Sequence, residues 1–322
     1  MQKTDFPYVA VIVDDASTDG NQGVIKEFFE KHFNTEADDA WAKEDDYAKY
    51  FFARHKENNN CYFAIQFLKE NHYGKPIKVE HIKEWENNSK YIALCEGDDY
   101  WTDPQKLAKQ HSAMERYQGL SLCCSGCKVK TGETIVNQRR YPDECIVPTE
   151  DIVFGGGLWL HTVTYFFRNG LLDVYPDCCK RCHVGDYPLI LWASLNGGVY
   201  FLSDVTSVYR FQNKGSWTGR RAQLEIDEQI RGWQSEVNML KGLNCWSNGF
   251  YSEAFNRRIG NYIFDEILNH KKDVNRIVNA FQEESKFFTR KQKLHVQFIR
   301  MHLEAIFLLV LHVWRSIKKR FH

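Results

Sequence analysis

Two pairs of adjacent aspartates, Asp14-Asp15 and Asp98-Asp99, follow short apolar runs, YVAVIV directly and YIALC after Glu96-Gly97. Clustered hard oxygen donors of this kind suit Mg²⁺ or Mn²⁺, and such an ion in turn suits a diphosphate. In open α/β sheets, ligands bind outside the carboxyl ends of the strands, so acids at two strand ends are expected to converge on one crevice. One pair alone reads as strand termination and helix capping, because short acidic side chains bond readily to nearby backbone. Two pairs, with Gly97 giving backbone access beside the second, favour the ligand reading.

Sulfur forms the other constellation. Cys123-Cys124-x-x-Cys127 and Cys178-Cys179-x-x-Cys182-His183 hold enough ligands for zinc, but their separation exceeds common zinc-ribbon spacing. Cys123 and Cys124 also lie in an apolar run, where cysteine acts as a small core residue. With no basic and apolar leader at the N-terminus, the ten cysteines are expected to stay reduced in a cytosol.

These groups need elements to position them. Tyr8–Val13 reads as a strand buried on both faces, and Val24–Phe33 as a helix. Residues 34–60 are polar and charged, and Cys61–Glu70 and Val79–Trp85 are expected to be helices. Tyr91–Cys95 is the next strand, and Thr102-Asp103-Pro104 supplies a cap and a first-turn proline for a helix reaching Tyr117. Leu120–Lys130 and Val163–Phe167 read as strands, and Gly155-Gly156-Gly157 as a loop or close backbone approach. Leu189–Ser194 reads as a helix, followed by strands at Val199–Leu202 and Thr206–Phe211. Beyond Trp217, apolar residues recur at helical spacing through Leu224, Ile226, Ile230, Trp233, Val237 and Leu240, which places a boundary near residue 220.

Composition narrows the partners. The chain has 322 residues, with Lys+Arg and Asp+Glu both 42, so no excess of cations exists to displace phosphate counterions and nucleic acid is not expected as a partner. Aromatics make up 15% of the chain, enough for a large core or for rings lining a sugar or lipid groove.

The segments VIVDDASTDG (Val11–Gly20) and YIALCEGDDYWTDP (Tyr91–Pro104) closely resemble the family 2 glycosyltransferases of bacterial surface-polysaccharide synthesis. HVGDYPL (His183–Leu189) is similar to the segment where that family carries its catalytic base, and YRFQNKGSW (Tyr209–Trp217) to the one that closes its domain. The resemblance covers residues 1–220 and implies a GT-A fold, an α/β architecture with a mostly parallel sheet and helices on both faces. Residues 221–322 are then a helical C-terminal region.

By the same resemblance, the activity is inverting transfer from a nucleoside-diphosphate sugar to a saccharide or lipid-linked acceptor. Asp15, beside Asp14, sits where the family contacts the nucleotide, and Asp99 with Asp98 occupies the position that holds Mg²⁺ or Mn²⁺. Asp186 occupies the general-base position, Arg210 adds a cation for the phosphates, and Trp217 offers a stacking face for a sugar. A sugar nucleotidyltransferase, which shares this kind of sheet, should show a Gly-rich phosphate loop near its start, and none is visible.

Family members normally open with an earlier strand and helix. Gln2–Pro7 instead resembles the linker before the second family strand, so the sheet is expected to lack the strand between the two that carry the acidic pairs. Either the sequence is a piece of a longer protein, the favoured reading, or the sheet re-pairs without that strand, which points to the alternative of a catalytically inactive sugar-nucleotide-binding or scaffolding protein. At the other end, an apolar stripe from Phe298 to Trp314 is followed by Arg315, Lys318, Lys319 and Arg320. It reads either as an amphipathic helix on an anionic membrane or as a packing surface. The expected location is cytoplasmic, peripheral on the inner face of the membrane.

Overall fold

The structure, a computed structural model, describes residues 1–72, 75, 80–211, 217–221, 223–306 and 309. In chain order, the first part comprises β1 (Tyr8–Asp14), α1 (Asn21–His32), β2 (Trp41–Glu44), β3 (Ala48–Arg54), β4 (Cys61–Leu68) and α2 (Glu80–Asn87). The second part begins with β5 (Tyr91–Ala93), β6 (Tyr100–Trp101), α3 (Lys106–Arg116), β7 (Leu122–Thr131), β8 (Thr134–Gln138) and β9 (Cys145–Ile146). It continues through α4 (Thr149–Gly155), β10 (Phe166–Arg168), α5 (Asp177–Lys180), α6 (Asp186–Leu195) and β11 (Val199–Arg210). The remainder is helical: α7 (Trp217–Arg221), α8 (Ile226–Trp246), α9 (Ser252–Asn269), α10 (Val274–Ala280) and α11 (Arg290–Arg300), with short 3₁₀ turns between.

The protein is a mixed α/β structure with two mixed sheets and a C-terminal helical region. One sheet has the order β1-β4-β3-β2; the other runs β5-β10-β7-β11-β6, with β8 on β7 and β9 on β11. The expectation of a mostly parallel sheet is corrected: β1 with β4 and β7 with β11 are the parallel pairings, and the others are antiparallel. Parallel neighbours need long crossovers, whereas the short β2–β3, β3–β4 and β7–β8 connections make antiparallel hairpins.

Two further corrections concern the first sheet. Cys61–Glu70 is strand rather than helix, because β4 lies between β1 and β3 and buries side chains on both faces. A short apolar run does not reveal its period, so neighbours decide. β1 is not buried on both faces: it is an edge strand, and Val11 and Val13 remain 37% and 38% exposed. Among the described residues, β1 and β5, the strands that lead into the two acidic pairs, each stand at the edge of a different sheet.

The N-terminal segment staples the two parts together. The Gln2 amide donates to Asp103 O at 2.9 Å and accepts from Leu107 N at 3.0 Å, while Asn58 donates to Gln2 O at 2.9 Å. Phe6 and Tyr91 both meet the His111 ring, at 4.4 and 5.6 Å. α3 therefore begins two residues after Pro104, its first turn capped by a side chain distant in sequence.

The expected pair of strands near residue 200 is one strand, β11, with register shifts between Leu202 and Ser207. The main core joins β7 and β11 to α4, α6 and the helices beyond residue 220: Trp192, Phe201, Leu240, Phe255 and Ile277 belong to one buried cluster. The terminal stripe is not one continuous helix, since α11 ends at Arg300 and His302 takes φ 56°. Ile299 is in the core, while Met301, Leu303 and Ile306 are exposed. Residues 307, 308 and 310–322, including Trp314 and the four basic residues, lie outside the described part. Among the described residues, no helix is long and apolar enough to cross a membrane.

Candidate active site

The second acidic pair ends a short loop after β5. Asp99 N–H turns back to Glu96 O at 3.0 Å, which fixes the Glu96–Asp99 turn. The backbone of Arg210, the last residue of β11, donates to Asp99 Oδ1 at 2.8 Å, and its Nε donates to the Asp98 carbonyl. Arg210 thus clasps the turn, with its side chain on the backbone of Asp98. Asp99 is 8% exposed. Burial pushes its carboxyl up to about 7, with Asp98 and Glu96 adding to the effect against the Arg210 hydrogen bond. Asp98 is exposed beside it.

Asp186 reaches the same neighbourhood from the N-terminus of α6. Its Oδ1 accepts the Tyr187 backbone N–H at 2.8 Å. On the other side runs the glycine loop expected from the sequence. Gly156 takes φ 70°, and a Cβ on Gly157 would stand 3.2 Å from Asp186 Oδ2. A side chain at 157 would crowd the carboxylate, so the glycine leaves Oδ2 approachable. Burial raises the Asp186 carboxyl above its usual range, against the hydrogen bond from Tyr187.

Tyr209, on β11, shows that these acids share one field. Burial raises its phenol to about 12, and the charges of Asp99, Asp186, Asp98 and Glu96 all push in the same direction. Its ring stacks on His161 at 4.2 Å. His161 is drawn down to about 4 by burial and then by Arg140, so it is a neutral platform at neutral pH. Neither residue was singled out in the sequence; the signal available was Tyr209 directly before Arg210.

Beneath the turn lies Lys106, fully buried, with Nζ donating to Gln110 Oε1 at 2.6 Å and standing 4.5 Å from the Trp101 ring centre. Burial draws it down to about 7.

The first acidic pair is tied to the other sheet. Asp14 Oδ1 accepts from Ser17 N at 3.0 Å and from the Gln22 amide at 2.7 Å. Burial opposes its charge, yet these donors prevail and hold it below the usual range. Asp15 accepts from His72 N at 2.6 Å, and its carbonyl accepts from Asn71 at 3.0 Å. Beside this pair is a hollow of about 310 Å³ lined by Ser17, Gln22, Lys49, Phe67 and Lys69 among others. The structure therefore brings Asp98, Asp99, Asp186 and Arg210 together, and seats Asp14 and Asp15 at the end of the first sheet. Trp217 opens α7, and its side chain lies outside the described part.

No group of three or more His, Cys, Asp or Glu side chains among the described residues is arranged to hold a metal ion by itself. That applies to the zinc motifs too: Cys123, Cys124 and Cys127 are buried in β7. It leaves open the usual manner of holding Mg²⁺, by one or two carboxylates completed by substrate phosphates and water. Asp99 and Asp98 fit that donor set, since a cation would offset the repulsion that raises Asp99.

No protein-family model matches the sequence. The chain is 30% identical over 219 residues to an uncharacterized protein of Mycobacterium bovis and to uncharacterized proteins of two Mycobacterium tuberculosis strains. Each match takes in 67% of this chain and 54% of the relative, so the chain spans about half the length of the curated relatives it matches.

Proposed function

We propose that this protein is an inverting glycosyltransferase of GT-A type that moves a sugar from a nucleoside-diphosphate donor to a saccharide or lipid-linked acceptor. The observation that carries this reading is the gathering of Asp98, Asp99 and Asp186 around Tyr209, from the end of β5 and the start of α6. Asp186 would take the proton from the acceptor hydroxyl through Oδ2 while the Tyr187 N–H holds Oδ1. A carboxyl raised by burial is a better base, and such groups contribute about 10²–10⁴-fold. Arg210 keeps the Glu96–Asp99 turn in place and so fixes Asp99 relative to Asp186. Asp99 and Asp98 would hold Mg²⁺ or Mn²⁺, which when bound offsets charge on the donor's diphosphate. Asp15 and the hollow beside it would take the nucleoside. A lipid-linked acceptor would suit the exposed Met301, Leu303 and Ile306 as a membrane-facing end, at the cytoplasmic side.

The test is release of nucleoside diphosphate from a panel of nucleoside-diphosphate sugars with Mg²⁺ or Mn²⁺. Turnover in the wild type that disappears in Asp99→Ala and Asp186→Asn supports the reading; release of pyrophosphate instead would replace it with a nucleotidyltransferase.

A second reading draws on the division between β1 and β5. With the two acidic turns on separate sheets, the protein would bind a sugar nucleotide without turning it over. Calorimetric binding with no product release over hours would favour it.

A further inference from the structure

Cys61, Cys123, Cys124 and Cys127 are buried in strands, but a second group of cysteines sits in a turn. Cys178 and Cys182 are partly open to solvent, and Cys179 between them is buried. The Cys182 N–H donates to Cys179 O at 3.1 Å, closing a four-residue turn at the end of α5. A β-turn keeps its outer Cα atoms within about 7 Å, and disulfides span about 4.4–6.8 Å. Cys179 and Cys182 are therefore placed to bridge without unfolding α5. Cys178 is held differently: a Cβ on Gly242 of α8 would stand 2.7 Å from its Sγ, so it is pressed against that helix.

The chemistry of the trio supports reactivity. Cys179 donates a hydrogen bond to Cys178, and this first of all draws the Cys178 thiol down to about 7. The charge of the vicinal pair therefore rests on Cys178, while that hydrogen bond and burial push the Cys179 thiol well above its usual range and keep it protonated.

What lies downstream gives the turn its consequence. Cys182 bonds to Ser235 of α8, and the same hydroxyl meets His183 N at 3.1 Å and His183 Nδ1 at 2.7 Å. Val184 and Gly185 then lead directly to Asp186. A bridge to Cys179 takes the Cys182 sulfur from Ser235, the hydroxyl that also holds His183.

We infer that Cys179 and Cys182 are a redox-sensitive pair, closed to a disulfide by peroxide, and that closure displaces the segment carrying Asp186. In the first step, the thiolate of Cys182, the partner partly open to solvent, attacks one oxygen of hydrogen peroxide. The O–O bond breaks, a sulfenic acid forms, and the departing hydroxide takes a proton to become water. The Cys179 sulfur then attacks the sulfenic sulfur. The S–S bond forms, the S–O bond breaks, and a second water leaves with the Cys179 proton. Two thiols are oxidised, and one peroxide is reduced to two waters.

The experiment uses the full chain treated with hydrogen peroxide, alkylated and digested with trypsin. Cleavage after Lys180 and Arg181 separates Cys179 from Cys182, so the bridge holds two peptides together until dithiothreitol parts them. The linked pair is expected in wild type and in Cys178→Ser, and is expected to vanish in Cys179→Ser and Cys182→Ser. Its absence from native wild type, its persistence in Cys179→Ser, or its formation only in guanidinium overturns the proposal. Displacement is read by hydrogen exchange of residues 183–187, expected to quicken roughly tenfold on oxidation; unchanged exchange in bridged protein overturns that half. The accompanying fall in donor turnover rests on the transferase reading. If reduced wild type has no turnover, that reading fails, while the cross-link and exchange results still decide this one.

Discussion

The two acidic turns share a residue type and a position at a strand end, yet their electrostatics are opposite. At the end of β1, Asp14 has two donors on one oxygen and is held below the ordinary range. At the end of β5, Asp99 has the Arg210 amide, but is pushed up to about 7 by burial and by its acidic neighbours. The first turn uses its charge on its own loop; the second keeps a buried carboxyl beside like charges, a strain that a cation or a proton relieves. A buried carboxylate beside like charges costs stability, and groups raised in this way cluster at functional sites. On the proposed reading, the pair after β5 is the one that carries the chemistry, and the pair after β1 is a well-bonded loop beside a hollow.

The largest effect that would sharpen this contrast is on turnover. Asp99→Asn and Asp186→Asn should each lower nucleoside-diphosphate release by about 10²–10⁴-fold, whereas Asp14→Asn should cost less than about tenfold. Equal losses at all three positions would erase the distinction.

Stability against pH should run in opposite directions. Asp99 has a folded value raised from 3.8 to about 7, so its contribution is complete below the unfolded value and is lost as pH rises through 7. Asp99→Asn should therefore stabilise the protein at pH 8, on the order of 1–3 kcal/mol, with the gain fading by about pH 4 in urea melts. Asp14 has a depressed value, so its contribution is present above 3.8 and is lost as pH falls through the folded value. Asp14→Asn should cost about 1–2 kcal/mol at pH 7 and less in acid. Matching signs for the two variants would break the comparison.

The smallest effects concern the strand leading into the first turn. Val13→Thr on the edge of β1 should change stability by no more than about 0.5 kcal/mol in the same melts. Ile65→Ala on the neighbouring central strand, where the side chain is 3% exposed, should cost about 2–5 kcal/mol. A large loss from Val13→Thr would mean that this edge is covered in solution.

Much of the candidate site was legible in the sequence. The acidic turns and the close approach of the glycine loop follow from residue types, whereas the helix expected over Leu189–Ser194 begins three residues earlier, at Asp186. Tyr209 and His161 were not legible, because a stacked pair 48 residues apart leaves no local pattern. β4 was misread as helix for the same reason: Cys61–Leu68 is apolar at nearly every position, and only neighbours on both sides make it a strand.

By itself, the sequence determined which residues can carry charge and where strands and helices meet turns, since capping, apolar runs and glycine are local preferences. The tertiary structure alone decided which charges remain as charges. Asp14 meets Ser17 and Gln22, while Asp99 is itself buried beside the exposed Asp98 and Glu96, and burial and distance set a carboxylate's energy more than its identity does. It also decided that α3 is capped by Gln2 from the far end of the chain, because a hydrogen bond depends on where the donor and acceptor arrive and not on the number of residues between them.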